Sequence, residues 1–307
     1  MSPASLLGAL AVGALLALGA WLYAPDLPRA ALEGRYAGPP SQFVQVAGLR
    51  LHMRDTGPRD APVVVLLHGF GATLHSWDAW AAGLEDGWRV LRYDQPGFGL
   101  TGPDPTGDYS DARGVAVLAA LLDQLGVQRA VVVGHSMGGK LAWLFTAAHP
   151  ERVTRLVLAA PDGFASPGFE YGRAPEVPWL ARLLPYTLPR FLVRRSLAPA
   201  FGDPSLITEA ALTSYRELLL APGVRRAILA RLAQVRLQRP EKLLARITAP
   251  VLLLWGGRDA MIPPANAADY RANLRESELV TFPTLGHVLH EEAPAETLVP
   301  VRAFLQR

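Results

Sequence analysis

The apolar residues of this chain form a series of short, unbroken runs. Five of these runs are rich in Val and Leu and do not alternate with polar residues, which is typical of strands buried on both faces of a sheet. They cover residues 63–67, 89–93, 130–133, 153–159 and 251–255. Residues 278–282 predict a further strand, and residues 42–47 and 49–54 predict a hairpin that turns at Gly48.

Stretches with helical spacing lie between these runs. They cover residues 76–84, 111–125, 137–149, 265–274 and 294–305. Strands and helices that alternate in this way predict an α/β fold, with a mostly parallel eight-stranded sheet and helices on both of its faces.

The alternation is interrupted once, between residues 161 and 249, where only helical patterns occur. This segment follows the strand 153–159, and open α/β sheets bind ligands beyond the carboxyl ends of their strands. We therefore expect a core of residues 42–160 and 250–307, covered by a helical cap of residues 161–249. The cap has 13 Arg and Lys against 7 Asp and Glu. Solvated helix faces explain this surplus best, and a cap that faces anionic lipid is the alternative.

The N-terminus is unlike the rest of the chain. Residues 4–24 carry no charge, and as a helix they would span roughly 30 Å, enough to cross a bilayer. Trp21 and Tyr23 lie where an interfacial aromatic belt is expected. We predict a membrane anchor in residues 1–24, followed by a Pro- and Gly-rich linker in residues 25–41. A cleaved signal peptide, and hence secretion, is the alternative, and the charges beside the span do not indicate which side of the membrane the domain occupies.

Composition excludes several classes of function. The 307 residues are 50% hydrophobic and have a net charge of +3 without long runs of like charge, so a nucleic-acid partner is not expected. The chain has no cysteine, which excludes disulfides and thiolate chemistry. The seven histidines never occur at metal-ligand spacing with a carboxylate, so no metal and no cofactor are expected.

One serine lies at a sharp turn between a strand and a helix. Residues 131–140 read VVVGHSMGGK, in which Ser136 directly follows the strand and the next helix begins at Met137. Such a turn strains the serine backbone and exposes its hydroxyl, and only glycine tolerates the crowding at Gly134 and Gly138. The segment also resembles a P-loop, but Leu141 stands where the hydroxyl ligand of magnesium is required.

A second glycine motif has an unsuitable context. Residues 97–102 match G-x-G-x-x-G after a strand, but Pro103 and Pro105 follow where the phosphate-binding helix should begin. We interpret these glycines as part of a turn-rich loop.

A nucleophilic serine requires a base and an acid that orients the base. The best acid is Asp259, on the loop after strand 251–255, and the best base is His287, on the loop after the next strand. Both lie at the same sheet edge as Ser136, in the order Ser, Asp, His. Asp162 is an alternative acid, and His290 is an alternative base that we expect to be a packing neighbour.

Four motifs occur in the order that one known family shows. They are His68-Gly-Phe-Gly71, Asp94-Gln-Pro-Gly-Phe-Gly99, Gly134-His-Ser-Met-Gly-Gly139 and Gly286-His287. Over about residues 42–306 the chain resembles the α/β hydrolases, in particular the capped serine esterases and lipases.

The resemblance implies an oxyanion hole formed by the backbone N–H groups of Phe70 and Met137. It also implies that His68 and Asp94 shape their loops and do not react. Family members that act on haloalkanes or epoxides have an aspartate where this chain has Ser136, so those activities are not expected.

The sequence therefore predicts a membrane-anchored serine hydrolase of carboxylic esters, in which Ser136, His287 and Asp259 form the triad. The anchor and the Leu-rich cap favour a small ester with an apolar acyl group as substrate. Two alternatives stay open: a hydrolase of carbon–carbon bonds with the same fold, and a non-catalytic binding protein tethered to the membrane.

Overall fold

The computed structural model describes residues 2–173 and 175–307. All eight predicted strands are present. They are β1 (Ser41–Val46), β2 (Leu49–Thr56), β3 (Val63–Leu67), β4 (Arg89–Tyr93), β5 (Ala130–His135), β6 (Val153–Ala159), β7 (Val251–Gly256) and β8 (Ser277–Phe282). They form one sheet in the order β1-β2-β4-β3-β5-β6-β7-β8. β2 runs antiparallel to both β1 and β4, and all the other neighbouring pairs are parallel, so the predicted mostly parallel sheet is confirmed.

The α-helices alternate with the strands and fill the segment between β6 and β7, which we call the cap. They are α1 (Pro3–Leu22), α2 (Arg29–Tyr36), α3 (Asp78–Ala82), α4 (Asp111–Gln124), α5 (Met137–Ala148), α6 (Arg190–Leu197), α7 (Glu209–Leu219), α8 (Val224–Gln234), α9 (Glu241–Leu244), α10 (Asn266–Asn273), α11 (Leu289–Glu292) and α12 (Pro294–Leu305). The helix predicted over 76–84 is shorter, because a 3-10 turn, Leu74–Trp77, precedes α3.

Both faces of the sheet are covered. In β5, Val131 and Val133 contact the cluster that contains Trp80, whereas Val132 contacts the opposite cluster, which contains Phe145 of α5. Successive strand residues point to opposite faces, so a continuous apolar run fills two cores at once.

The segment predicted as a linker is ordered and packed. Residues 29–36 form α2, and its Leu32 is buried among side chains of the cap and of the loop after β4. Arg29, at the start of α2, donates to the carbonyl of Leu100 at 2.9 Å. The Pro and Gly content suggested a linker, but Pro28 precedes the helix, where a missing N–H costs little, and the helix itself contains good helix formers.

Helix α1 is not buried in the fold. Its segment Ser5–Leu22 has a mean hydropathy of 2.0 and none of it is buried, so by length and composition it could cross a bilayer. A signal sequence near an N-terminus has the same properties.

Candidate active site

Ser136 occupies a single-residue turn between β5 and α5. Its backbone has φ of +53° and ψ of −121°, in a region that side chains with a Cβ rarely adopt. The Ser136 N–H donates to the carbonyl of Ala159 at 3.0 Å, and the Ser136 carbonyl accepts from the Lys140 N–H at 3.0 Å. The surrounding hydrogen bonds therefore hold a strained conformation of the kind found at functional sites.

Two glycines permit this turn. A Cβ on Gly134 would lie 2.3 Å from the carbonyl oxygen of Gly138, and a Cβ on Gly138 would lie 2.2 Å from the carbonyl oxygen of Leu67. Any side chain at either position would displace the helix from the sheet, and with it Ser136.

Asp259 and His287 are joined directly. The His287 Nδ1 lies 2.8 Å from the Asp259 Oδ2. The other carboxylate oxygen, Oδ1, accepts from the N–H groups of Met261 and Ile262, both at 2.8 Å. Both side chains are buried. Because an ionised carboxylate only accepts, Nδ1 carries the hydrogen in this pair and Nε2 is left free to take a proton.

The two alternative residues are placed differently. Asp162 lies beside the same cavity, but its carboxylate makes no hydrogen bond with His287, and burial raises its pKa. His290 stacks on Trp77 with ring centroids 4.2 Å apart. Burial lowers the pKa of His290 to about 3, with a smaller contribution from the nearby His287, so this imidazole is neutral.

The two candidate oxyanion donors have no hydrogen-bond acceptor within the described part of the chain. The backbone N–H of Phe70 follows β3 and that of Met137 begins α5, and neither donates a hydrogen bond to another described residue. Met137 is half-buried and Phe70 is 45% exposed, so both donors beside the strained serine are accessible to an incoming oxyanion.

Ser136, His287, Phe70 and Met137 all line one cavity of about 680 Å³ between the sheet edge and the cap. No hydrogen bond joins the Ser136 hydroxyl to His287, although catalytic hydrogen bonds are often long in unliganded enzymes. The structure thus pairs the candidate acid and base and brings the serine and the two donors to the same cavity.

Two of the loops around this cavity are held by buried polar groups. His68 Nδ1 donates to the carbonyl of Gly69 at 2.8 Å, and His68 Nε2 accepts from the Gln95 N–H at 2.9 Å. Asp94 accepts from the Leu74 N–H at 2.8 Å. These contacts satisfy His68 and Asp94 within the protein and fix the loops.

Comparison with known proteins identifies the family. The family described as "alpha/beta hydrolase fold" matches residues 62–294. This chain is an α/β hydrolase.

Relatives of this hydrolase carry different activities. The chain is 32% identical over 274 residues to the 2-hydroxy-6-oxononadienedioate/2-hydroxy-6-oxononatrienedioate hydrolase of Burkholderia vietnamiensis, with 84% of this chain and 92% of that protein covered. It is 29% identical over 273 residues to the dihydrolipoyllysine-residue acetyltransferase component of the acetoin cleaving system of Pseudomonas putida, with 88% and 70% covered.

One solved structure matches the chain almost from end to end. A membrane phospholipase A, described as a novel bacterial virulence factor, superposes with a TM-score of 0.75 at 30% identity and covers 98% of this chain and 96% of its own. A putative lipase from Acinetobacter baumannii has a TM-score of 0.76 at 22% identity, which shows the shared fold.

The cavity of the hydrolase also contains charged residues that the sequence analysis did not single out. Lys140 is buried and its Nζ lies 2.8 Å from the Asp111 Oδ2. Arg231 of the cap also lines the cavity, and it donates to the carbonyl of Pro96 at 2.8 Å. Lys140 could have been found, because it follows Ser136 by four residues on one helix face. No sequence signal indicates Arg231.

Proposed function

We propose that this α/β hydrolase cleaves carboxylic esters with apolar acyl groups, and that Ser136, His287 and Asp259 are its catalytic triad. The observation that carries the proposal is the strained Ser136 in the same cavity as the hydrogen-bonded pair of His287 and Asp259. A strained serine alone or an acid–base pair alone has many structural explanations, but the combination at one sheet edge is what nucleophilic catalysis requires.

The proposed reaction proceeds through an acyl-enzyme. His287 Nε2 takes the proton of Ser136 as the Ser136 oxygen attacks the carbonyl carbon of the ester. His287 then gives this proton to the leaving alcohol, and in the second half-reaction it activates the water that hydrolyses the acyl-enzyme. Asp259 holds the imidazole in the required tautomer and stabilises the imidazolium.

The N–H groups of Phe70 and Met137 bind the oxyanion in this mechanism. One such donor lowers the barrier by roughly 3 to 4 kcal/mol. The Met137 N–H lies at the N-terminus of α5, whose dipole also favours negative charge.

The lining of the cavity supports an apolar acyl group. Side chains from both the core and the cap contribute apolar surface, among them Phe70, Met137, Phe169, Leu232 and Ile262. Apolar surface of this kind favours a hydrocarbon chain over water. The end-to-end similarity to a membrane phospholipase A supports the same class of substrate.

We also propose that α1 anchors the hydrolase in a membrane. An uncharged helix of 20 residues with no buried segment supports an anchor, and the phospholipase match extends over it. If α1 is instead a signal sequence, the mature protein will lack it. The mass of the protein isolated from membranes distinguishes the two.

Labelling with a fluorophosphonate probe tests the triad. We expect the native chain to be labelled and Ser136→Ala to be unlabelled. Ser166 lines the same cavity, so Ser166→Ala is the matched control and should still be labelled. Equal labelling of Ser136→Ala and the native chain would contradict the assignment of the nucleophile.

Turnover of p-nitrophenyl esters of increasing acyl length tests the substrate class. We expect hydrolysis to fall by at least about 10⁴-fold in Ser136→Ala. The relative from Burkholderia vietnamiensis favours one alternative, a hydrolase of carbon–carbon bonds. Faster turnover of a ring-fission diketone than of every ester would establish that alternative.

A further inference from the structure

An outward-facing apolar surface lies on the cap. It consists of Trp179, Leu180, Leu183, Tyr186, Phe191 and Leu192, which are 45% to 72% exposed and which we call the cap apolar surface. In α6 the inward position is filled by the buried Val193, whereas its neighbours Phe191 and Leu192 face away from the cap core. Single exposed apolar residues are common, but six large ones within 14 consecutive positions indicate a partner surface.

This surface is continuous with the end of α1. The Thr187 Oγ1 donates to the carbonyl of Leu22 at 2.7 Å, and the Ala24 N–H donates to the carbonyl of Tyr186 at 2.8 Å. Ala24 is already buried in the cap core. No flexible spacer therefore separates the last turn of α1 from the cap.

A groove of about 590 Å³ joins the two elements. Trp21 and Tyr23 at the end of α1 and Phe191 of the cap apolar surface line it together. Trp and Tyr side chains favour the interface between lipid and water, because their rings are apolar and their N–H and O–H groups are polar.

The charge around the surface has one sign. Residues 177–197 contain four arginines and no aspartate or glutamate. Arg190 and Arg194 share one carboxylate, that of Glu209 on α7, while Arg182 and Arg195 make no ion pair with a described residue and are exposed. Arginines beside an apolar surface complement the phosphate groups of anionic lipids.

We propose that the cap apolar surface docks into the interfacial layer of an anionic phospholipid bilayer, beside the point where α1 leaves it. The proposal rests on the anchoring by α1 proposed above. It replaces the interpretation that the cap arginines only solvate helix faces. The direct hydrogen bonds between α1 and the cap set the depth of the cap apolar surface in the bilayer. A helix that spans the bilayer brings residues 179–192 to the level of the lipid headgroups.

Single-cysteine variants test this proposal in the 307-residue chain, which has no native cysteine. Leu183→Cys and Phe191→Cys, each labelled with an environment-sensitive dye, report on the cap apolar surface. Leu10→Cys in α1 reports on the anchor, and Val299→Cys is the matched control because Val299 is an exposed apolar residue on α12 of the core. Each variant is reconstituted into vesicles of phosphatidylcholine with phosphatidylglycerol, or of phosphatidylcholine alone, with brominated lipids as quenchers.

We expect quenching at positions 10, 183 and 191 and none at position 299. Quenching at 183 and 191 should be stronger with phosphatidylglycerol, and Arg195→Gln should lower the docking equilibrium about fivefold. Quenching at position 10 alone would overturn the docking and leave the anchor intact. Absence of quenching at all positions would overturn both.

Two further outcomes would also overturn the proposal. Equal quenching at position 299 would show that contact is not specific to the cap apolar surface. Shielding of positions 183 and 191 that grows with protein density and persists without brominated lipid would show that a second copy covers the surface. Turnover of a soluble ester by each variant shows that its fold is intact, and loss of that turnover in the native chain would contradict the proposed function without bearing on docking.

Discussion

The imidazole of His135 donates a hydrogen bond to the backbone carbonyl of His287. His135 Nε2 lies 3.0 Å from the His287 carbonyl oxygen, and because a carbonyl only accepts, Nε2 carries the hydrogen. The ring centroids are 4.6 Å apart. Burial lowers the pKa of His135 well below its usual value, with smaller contributions from the nearby His287 and His290, so the ring stays neutral. The residue before the candidate nucleophile thus positions the candidate base.

We expect His135→Phe to lower kcat with little change in KM. Phenylalanine fills the same space but cannot donate to the His287 carbonyl, so the imidazole of His287 loses its fixed position, and a misplacement of about 1 Å costs about 100-fold in rate. His135→Asn keeps a donor and should recover part of the loss. Ester kinetics with a thermal unfolding control check this. A change in stability without a change in kcat would show that the hydrogen bond has only a structural role.

Asp259→Asn should lower kcat by about 10⁴-fold, because an amide no longer holds the required His287 tautomer. Asp162→Asn is the matched control. Its carboxylate lies by the same cavity without a hydrogen bond to His287, so we expect a loss within about tenfold. The comparison is made by steady-state hydrolysis of one ester. If Asp162→Asn were the more damaging change, Asp162 would be the orienting acid.

Glu291 should make stability depend on pH. Burial raises its pKa to about 7, although the Tyr215 hydroxyl donates to its Oε1 at 2.7 Å. His290 lies 3.9 Å away but is neutral at these pH values. The folded chain therefore keeps a proton that the unfolded chain releases, and this contribution to stability is lost as pH rises from about 4.5 to about 7.

Glu291→Gln cannot ionise, so it should be more stable than the native chain at pH 8, by about 2 kcal/mol, and gain nothing at pH 4. Tyr215→Phe removes the donor that favours the ionised Glu291 carboxylate. The stability lost as pH rises should therefore be larger than in the native chain. Urea unfolding at the two pH values measures both effects. An equal gain for Glu291→Gln at both values would rule out ionisation of Glu291 as the cause.

Asp26→Asn should destabilise the contact between the segment after α1 and the cap. Arg225 is buried, and its Nη2 donates to the Asp26 Oδ1 at 2.7 Å. A buried guanidinium without its carboxylate is costly, and because Asp26 itself is 41% exposed we expect a loss of about 1 to 3 kcal/mol.

Thermal unfolding measures this loss. The exposed Asp60 offers a matched control, and Asp60→Asn should stay within about 0.5 kcal/mol of the native chain. The double variant Asp26→Asn/Arg225→Met should recover stability, because it removes the unpaired charge. If the double variant were less stable than Asp26→Asn alone, the ion pair would not explain the effect.

The sequence predicts the parallel sheet well and the small helices less well. Runs such as residues 130–133 are too apolar to lie anywhere but in a sheet covered on both faces, so periodicity alone places them. Helix α2 was not predicted, and α6 was predicted only as part of a helical cap, without bounds of its own. Leu32 of α2 is held by side chains from the cap and from the loop after β4, and partners that distant along the chain leave no local pattern.

The sequence by itself determined the sheet and the turn at Ser136, because strand periodicity and glycine crowding are local properties of the chain. It narrowed the candidate acid to Asp259 or Asp162 and the candidate base to His287 or His290. Only the tertiary structure decided that His287 forms its hydrogen bond with Asp259 and not with Asp162. It also decided that His135 donates a hydrogen bond to the His287 carbonyl, and that a hydrogen bond links the cap directly to the end of α1. Each of these relationships is a contact between residues far apart in sequence, and such contacts depend on how the elements pack.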